Sequence, residues 1–152
     1  MRVSGRRLVW LLGLAAGVLT WLAAPAPATA AYLNGVDVSH YQGTINWSSV
    51  KSAGITFAFA KATEGTTYTD PNVNANIAGM KAHGIIPGAY HFGHPGSDAT
   101  TQANHFTGVV KSANGGTFSG LLQLVLDLEV TDGMTPSQVW SWTQTFVARS
   151  QR

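Results

Sequence analysis

The sequence contains no cysteine among its 152 residues. Disulfide bonds and thiolate nucleophiles are therefore excluded, and a domain built from this chain must be held together by its apolar core. The sequence also lacks a His-x-x-x-His pair, the spacing that places two imidazoles on one helix face to bind a metal. We therefore expect no metal and no cofactor.

The sequence has no excess of positive charge after its N-terminal segment. Three arginines precede an apolar run at 8–24, and the small-x-small sequence Ala28-Thr29-Ala30 follows it. This pattern predicts a signal peptide over 1–30 and a secreted, extracellular domain over 31–152. The run approaches the length of a membrane anchor, but its Ala-Pro tail favours cleavage. Arg6-Arg7 leaves twin-arginine export open beside the general secretory route.

The charge of the predicted domain excludes one class of partner. Without the three leader arginines, six basic residues face seven acidic ones, which gives a net charge of −1. A domain that binds nucleic acid usually carries a basic surface, so nucleic acid is not an expected partner. We also expect no stable membrane insertion after signal cleavage, and a monomer.

A glycine-rich phosphate loop is absent after the first predicted strand, which disfavours a doubly wound nucleotide-binding sheet. Strand and helix patterns alternate four times, which predicts parallel strands with right-handed crossovers. We predict an α/β fold, a (β/α) barrel of the TIM-like type with only about the first four β/α units present. The predicted strands are 34–39, 55–61, 85–92 and 122–126, a turn is predicted at 62–65, and the predicted helices are 47–52, 70–83, 97–111 and 135–149.

An aliphatic run that begins at Leu122 ends in two carboxylates. Up to Leu126 it predicts a fully buried strand. If the strand continues, Asp127 and Glu129 share one face, roughly 6.6 Å apart along the backbone. Two such acids push their pKa values apart, so one stays protonated while the other is ionised, as a glycosidase requires. The alternative is an exposed strand end at which both carboxylates are merely solvated.

Polar residues recur at the carboxyl ends of the predicted strands, where a β/α barrel carries its active site. Four sequence blocks at these ends resemble glycoside hydrolase family 25, whose members include secreted and phage lysozymes that cleave peptidoglycan between N-acetylmuramic acid and N-acetylglucosamine. The resemblance covers essentially all of residues 31–152. The blocks are Asp37–Gly43, Lys61–Gly65 with Tyr68 and Asp70, Gly88–Phe92, and Leu126–Glu129.

The resemblance implies roles for three acids. Glu129 matches the general acid of the family. Asp127 would orient and polarise the 2-acetamido group of the substrate, which attacks the anomeric carbon in a substrate-assisted, retaining reaction. Asp37 would line the floor of the same groove. The resemblance thus implies a secreted N-acetylmuramidase with peptidoglycan as its partner.

Four further residues are expected to bind substrate. The resemblance places Tyr90 and His91 against the sugar. For Lys61 and Glu64, a salt bridge that stiffens the second loop and a direct role at the substrate both remain open. Three other histidines are assigned to ordinary loop or surface positions: His40, His94 and His105.

The chain also departs from the family pattern. The family barrel has eight strands, and such barrels typically need about 250 residues. The later strands, with a Trp-Gln-Tyr segment and a further aspartate, do not occur here. We therefore expect a domain that is incomplete at its C-terminus and poorly stable, with an open sheet edge. A catalytically impaired cell-wall-binding fragment is the alternative function, and a metal-dependent polysaccharide deacetylase is a weaker one.

Overall fold

The computed structural model describes residues 32–151. The predicted signal peptide, residues 1–30, lies outside the described residues. Between residues 32 and 151, every helix is too short or too polar to cross a bilayer.

Four parallel strands, each followed by a helix, account for most of the described chain, and a two-residue antiparallel strand is added to the second of them. A 3₁₀ turn at His40–Gln42 follows the first strand. The strands are β1 (Asn34–Val38), β2 (Ile55–Glu64), β3 (Tyr68–Thr69), β4 (Ile86–Phe92) and β5 (Val125–Asp127); the helices are α1 (Trp47–Ser52), α2 (Val73–Ala82), α3 (Ala99–Ala113) and α4 (Pro136–Ser150).

The strands form one sheet in the order β1-β2-β4-β5, and every pairing along this path is parallel. Parallel pairing follows from the helical crossovers, which return the chain to the same end of the sheet before each new strand. The predicted α/β class is confirmed. All four predicted helices are present, with bounds that shift by a few residues.

The core lies between the sheet and its helices. Alternate residues of the central strands face the helices, and small side chains such as Ala60 and Ala89 are fully buried there. One cluster packs beneath α3 and α4 around Phe106 and Phe146, and a second packs beneath α1 and α2 around Trp47. The other set of alternate residues faces the opposite side of the sheet, where side chains remain partly exposed.

The prediction of a fully buried strand at 122–126 is wrong. Strand β5 spans only Val125–Asp127, and Val125 is 37% exposed. In the part of the chain that the structure describes, β5 pairs with β4 alone, so one of its edges has no neighbouring strand. Just before β5, the backbone N–H of Leu122 donates to the carbonyl of Pro87 at 2.8 Å, and Leu124 packs against the core beneath α3 and α4.

The prediction of a turn at 62–65 is also wrong. Strand β2 continues to Glu64 because both of its edges are paired at that point. Thr63 and Glu64 pair with β3 on one side and with the end of β4 on the other. The reversal of the chain comes later, between β2 and β3.

A glycine on β4 makes room for an aromatic ring on β2. Gly88 lies opposite Phe59 in the register, and a Cβ atom at Gly88 would lie 2.4 Å from the Phe59 ring. We expect Gly88→Ala to lower the free energy of unfolding by about 1–3 kcal/mol, because the ring must move out of its position. Urea denaturation measures this change.

The matched control for that substitution is Gly108→Ala in α3. A Cβ atom at Gly108 meets nothing within 4 Å. Alanine is favoured over glycine inside a helix, so this variant should be more stable by roughly 0.5–1 kcal/mol. Equal stabilities for the two variants would contradict the close contact between Gly88 and Phe59.

Candidate active site

A groove of about 380 Å³ opens on the sheet face that the helices do not cover. All three of the predicted catalytic acids line this groove. Asp37 enters from β1, Asp127 from the end of β5, and Glu129 from the irregular segment just beyond it. The complete lining is Asp37, Phe59, Tyr90, Val125, Leu126, Asp127, Leu128 and Glu129.

Strand register brings these residues together although they are distant in sequence. Asp37 pairs with Phe59, and Tyr90 pairs with Val125, which lies two residues before Asp127. Side chains that are paired across parallel strands project from the same face of the sheet. Acids from the first and last described strands therefore border one groove, with Phe59 and Tyr90 between them.

Tyr90 lies among the acids, and their charges affect its pKa. Burial, and to a smaller extent the nearby carboxylates of Asp37 and Asp127, together raise the pKa of Tyr90 to about 12. A phenol with this pKa keeps its proton at any physiological pH. Tyr90 is therefore a hydrogen-bond donor at physiological pH in a groove that also carries three acids.

The two acids of the Asp-x-Glu sequence are electrostatically coupled. Burial raises the pKa of the Asp127 carboxyl above its ordinary value, and the nearby Glu129 charge adds to this effect. Asp127 therefore retains its proton more readily than an isolated aspartate would. Strand β5 ends at Asp127, so Glu129 reaches the groove from outside the ladder.

His91 does not face the groove, so the predicted contact between His91 and the sugar is wrong. Adjacent strand residues point to opposite faces, so His91 projects into the core when Tyr90 projects into the groove. Its side chain has no exposed surface, and its ring stacks on Phe146 with 4.9 Å between centroids. Both ring nitrogens are occupied, by the Thr63 hydroxyl at 2.8 Å and the Gln102 side-chain oxygen at 2.9 Å.

Lys61 and Glu64 form a salt bridge at the end of β2. This contact lowers the pKa of Glu64. Neither side chain lines the groove, although the buried Lys61 lies on the same face of the sheet as Tyr90, its partner in the register. The salt bridge between Lys61 and Glu64 is therefore present in the structure, and a direct role of either residue at the substrate stays a prediction.

A histidine assigned from sequence to an ordinary loop connects the end of β2 to the loop that follows β5. His94 lies 3.3 Å from Glu64 through Nε2 and 3.3 Å from Asp132 through Nδ1. Asp132 also accepts the backbone N–H of Gly96 at 3.1 Å. Because Asp132 follows Glu129 by three residues, this contact holds the loop of the proposed general acid. Loop-to-loop contacts of this kind leave no periodic signal in a sequence.

The sequence interpretation also missed Phe59, which lines the groove. The face of β2 that Phe59 occupies could have been inferred from the sequence, because Phe59 alternates with Ala58 and Ala60, which are buried on the opposite face. Within residues 32–151, no group of three or more His, Asp or Glu side chains is arranged to hold a metal ion.

The sequence model of glycosyl hydrolases family 25 matches residues 36–152, from β1 onward. The chain belongs to this family. Lysozyme M1 of Streptomyces globisporus is 45% identical over 133 residues, which are 81% of this chain and 44% of that protein. An N,O-diacetylmuramidase of Arthroderma benhamiae is 34% identical over 151 residues, 91% of this chain and 62% of that protein. This family 25 chain thus spans about half the length of the relatives it matches.

Solved family 25 structures share the fold. The Streptomyces coelicolor lysozyme is 41% identical with a TM-score of 0.69, over 81% of this chain and 59% of that one. A family GH25 lysozyme from Aspergillus fumigatus is 32% identical with a TM-score of 0.70, over 77% of this chain and 58% of that one. The described sheet is therefore a partial barrel of the α/β, TIM-like type.

Proposed function

We propose that this chain is a secreted N-acetylmuramidase, which hydrolyses the β-1,4 bond between N-acetylmuramic acid and N-acetylglucosamine in peptidoglycan. The observation that carries the proposal is the convergence of Asp37, Asp127 and Glu129 on one groove. Membership of family 25 and relatives named as lysozymes and muramidases support it. The predicted leader over 1–30 supports secretion, since peptidoglycan lies outside the cytoplasm.

Glu129 acts as the general acid in this proposal. Its proton passes to the glycosidic oxygen as the bond from that oxygen to the anomeric carbon breaks. The leaving sugar departs with a new hydroxyl group, and Glu129 is left as a carboxylate. That carboxylate then takes a proton from the incoming water, so the acid is restored at the end of each cycle.

Asp127 assists the acetamido group of the substrate. The acetamido oxygen bonds to the anomeric carbon as the leaving group departs, and Asp127 accepts the hydrogen bond of the acetamido N–H, whose positive charge increases. Water then attacks the anomeric carbon and releases the acetamido oxygen. The two displacements retain the anomeric configuration.

Asp37 and Tyr90 complete the groove. The negative charge of Asp37 on the floor favours the positive charge that develops on the sugar ring. Tyr90, which keeps its proton, donates a hydrogen bond to a sugar oxygen. His91 lies on the core side of β4 and has no contact with the substrate in this proposal.

The proposal is tested by incubating the purified chain with insoluble peptidoglycan and measuring both the reducing ends released and the protein retained on the pellet. We expect release of reducing ends that carry N-acetylmuramic acid. Retention without release would contradict catalysis and would instead support the alternative, a catalytically impaired cell-wall-binding fragment. The same incubation, with and without a strong chelator, also measures acetate, and acetate release that the chelator abolishes would favour the metal-dependent deacetylase.

A further inference from the structure

Tyr41 presents an aromatic ring to solvent just after the strand that carries Asp37. The residue is 82% exposed and belongs to the 3₁₀ turn that follows β1, four positions after Asp37. One side of its ring is covered by the His40 ring, with 4.1 Å between centroids. So exposed a side chain adds little to the core, and most of its ring remains free to contact a ligand.

His40 is held in place from below. The carboxylate of Asp70, whose side chain has no exposed surface, accepts the backbone N–H of His40 at 2.9 Å and contacts its Nδ1 at 3.0 Å. The Tyr68 hydroxyl lies 3.1 Å from the same nitrogen. The ring that supports Tyr41 is therefore fixed before any ligand arrives, which lowers the entropy lost on binding.

This aromatic rim, defined as His40, Tyr41 and Tyr68, is linked through Lys61 to the end of β4, a strand that contributes Tyr90 to the groove. The Lys61 ammonium group lies 5.7 Å from the centre of the Tyr68 ring and 5.0 Å from that of Phe92, the partner of Asp127 in the register. Phe92, Lys61 and Tyr68 thus lie in that order between the end of β4 and the His40–Tyr41 pair.

We infer that the aromatic rim is a further glycan subsite, in which Tyr41 stacks on the apolar face of an N-acetylhexosamine beyond the bond that is cleaved. The inference rests on the proposed function, because it assumes that a glycan strand occupies the groove. The axial C–H groups of a pyranose ring match an exposed aromatic face, and His40 and Tyr68 supply polar atoms at its edge. Lys61, the cation nearest the rim, is buried and paired with Glu64, so the rim favours a neutral sugar over an anionic stem peptide.

The test measures binding of a soluble tetramer of N-acetylglucosamine by calorimetry, with Glu129→Gln in every protein so that no turnover occurs. Tyr41→Ala should raise the dissociation constant roughly five- to tenfold, the loss expected for one stacked ring. Tyr41→Phe keeps the ring and should stay within about twofold of the parent. Tyr32→Ala removes a tyrosine that is 94% exposed ahead of β1, and it should leave the constant unchanged.

Several outcomes would overturn the inference. The first is that the parent shows no measurable binding of the tetramer, and the second is that Tyr41→Ala and the parent bind the tetramer with equal affinity. The third is that Tyr41→Ala weakens binding to intact peptidoglycan but not to the tetramer, which would assign the rim to the stem peptide. Failure of the proposed function is read separately, from the release of reducing ends by the unsubstituted chain. If the unsubstituted chain cleaves peptidoglycan but the affinity for the tetramer does not depend on Tyr41, the proposed function stands and only the subsite is refuted.

Discussion

Replacing Glu129 with glutamine is expected to reduce the hydrolysis of peptidoglycan by roughly 10²- to 10⁴-fold, the usual contribution of a general acid. Glutamine keeps the size and much of the polarity of the side chain, but it cannot deliver a proton to the glycosidic oxygen. Because Glu129 lies in an exposed segment beyond β5, the substitution should leave the fold intact. The rate of reducing-end release from purified cell walls measures the effect.

The matched control is Asp98→Asn. Asp98 is an exposed acid at the N-terminus of α3, where its carboxylate accepts the backbone N–H of Thr101 at 2.7 Å. Asparagine also caps a helix well, so this variant loses one negative charge with little change in stability. Its rate should remain within about twofold of the parent. Lysis that persists in Glu129→Gln would show that another group delivers the proton.

The same variant tests the coupling between the two acids without any substrate. The Glu129 charge helps to raise the pKa of Asp127, so Glu129→Gln should lower that pKa toward the ordinary aspartate value. Burial contributes more than the Glu129 charge, and we therefore expect a partial return. The carboxyl carbon resonance of Asp127, followed by NMR as a function of pH, reports the shift in a protein that no longer turns over.

Local patterns predicted the part of the site that depends on strand ends. Asp37 and Asp127 are far apart in sequence, yet both follow apolar residues of parallel strands, and such strands end at the same edge of a sheet. The meeting of these acids therefore followed from topology. The same alternation rule separates Tyr90 from His91, because neighbouring residues of one strand cannot both face the groove. The predicted substrate contact of His91 came from the family resemblance, and the alternation rule corrects it.

The parts that could not be predicted depend on contacts distant in sequence. Strand β2 extends to Glu64 only because β3 returns to pair with it, and the two residues of β3 carry no strand pattern of their own. The exposure of Val125 depends on which strands flank β5, and the aliphatic run itself does not contain that information. The positions of His94 and Asp132 depend on loop conformations, and Asp132 adopts a positive φ of 49°.

Acid should destabilise the folded chain chiefly through His91. Burial lowers the pKa of His91 to about 4, against an ordinary value near 6.5 in the unfolded chain. Between these two pH values the unfolded chain binds a proton that the folded chain does not, so the free energy of unfolding falls as the pH falls. The loss should begin below about pH 6.5 and reach about 3 kcal/mol near pH 4. Urea denaturation at a series of pH values measures it.

The contribution of His91 is isolated by comparison with His91→Gln, which can keep one of the two hydrogen bonds but does not titrate. We expect this variant to be less stable at pH 7 and to depend less on pH between 6.5 and 4. His83→Gln, at an exposed position at the end of α2, should keep the pH dependence of the parent. Asp127 acts in the opposite direction, because its raised pKa favours the protonated folded state in acid. That effect is present in the parent and in both variants, so it cancels from the comparison, and parallel curves for His91→Gln and the parent would exclude His91 as the source.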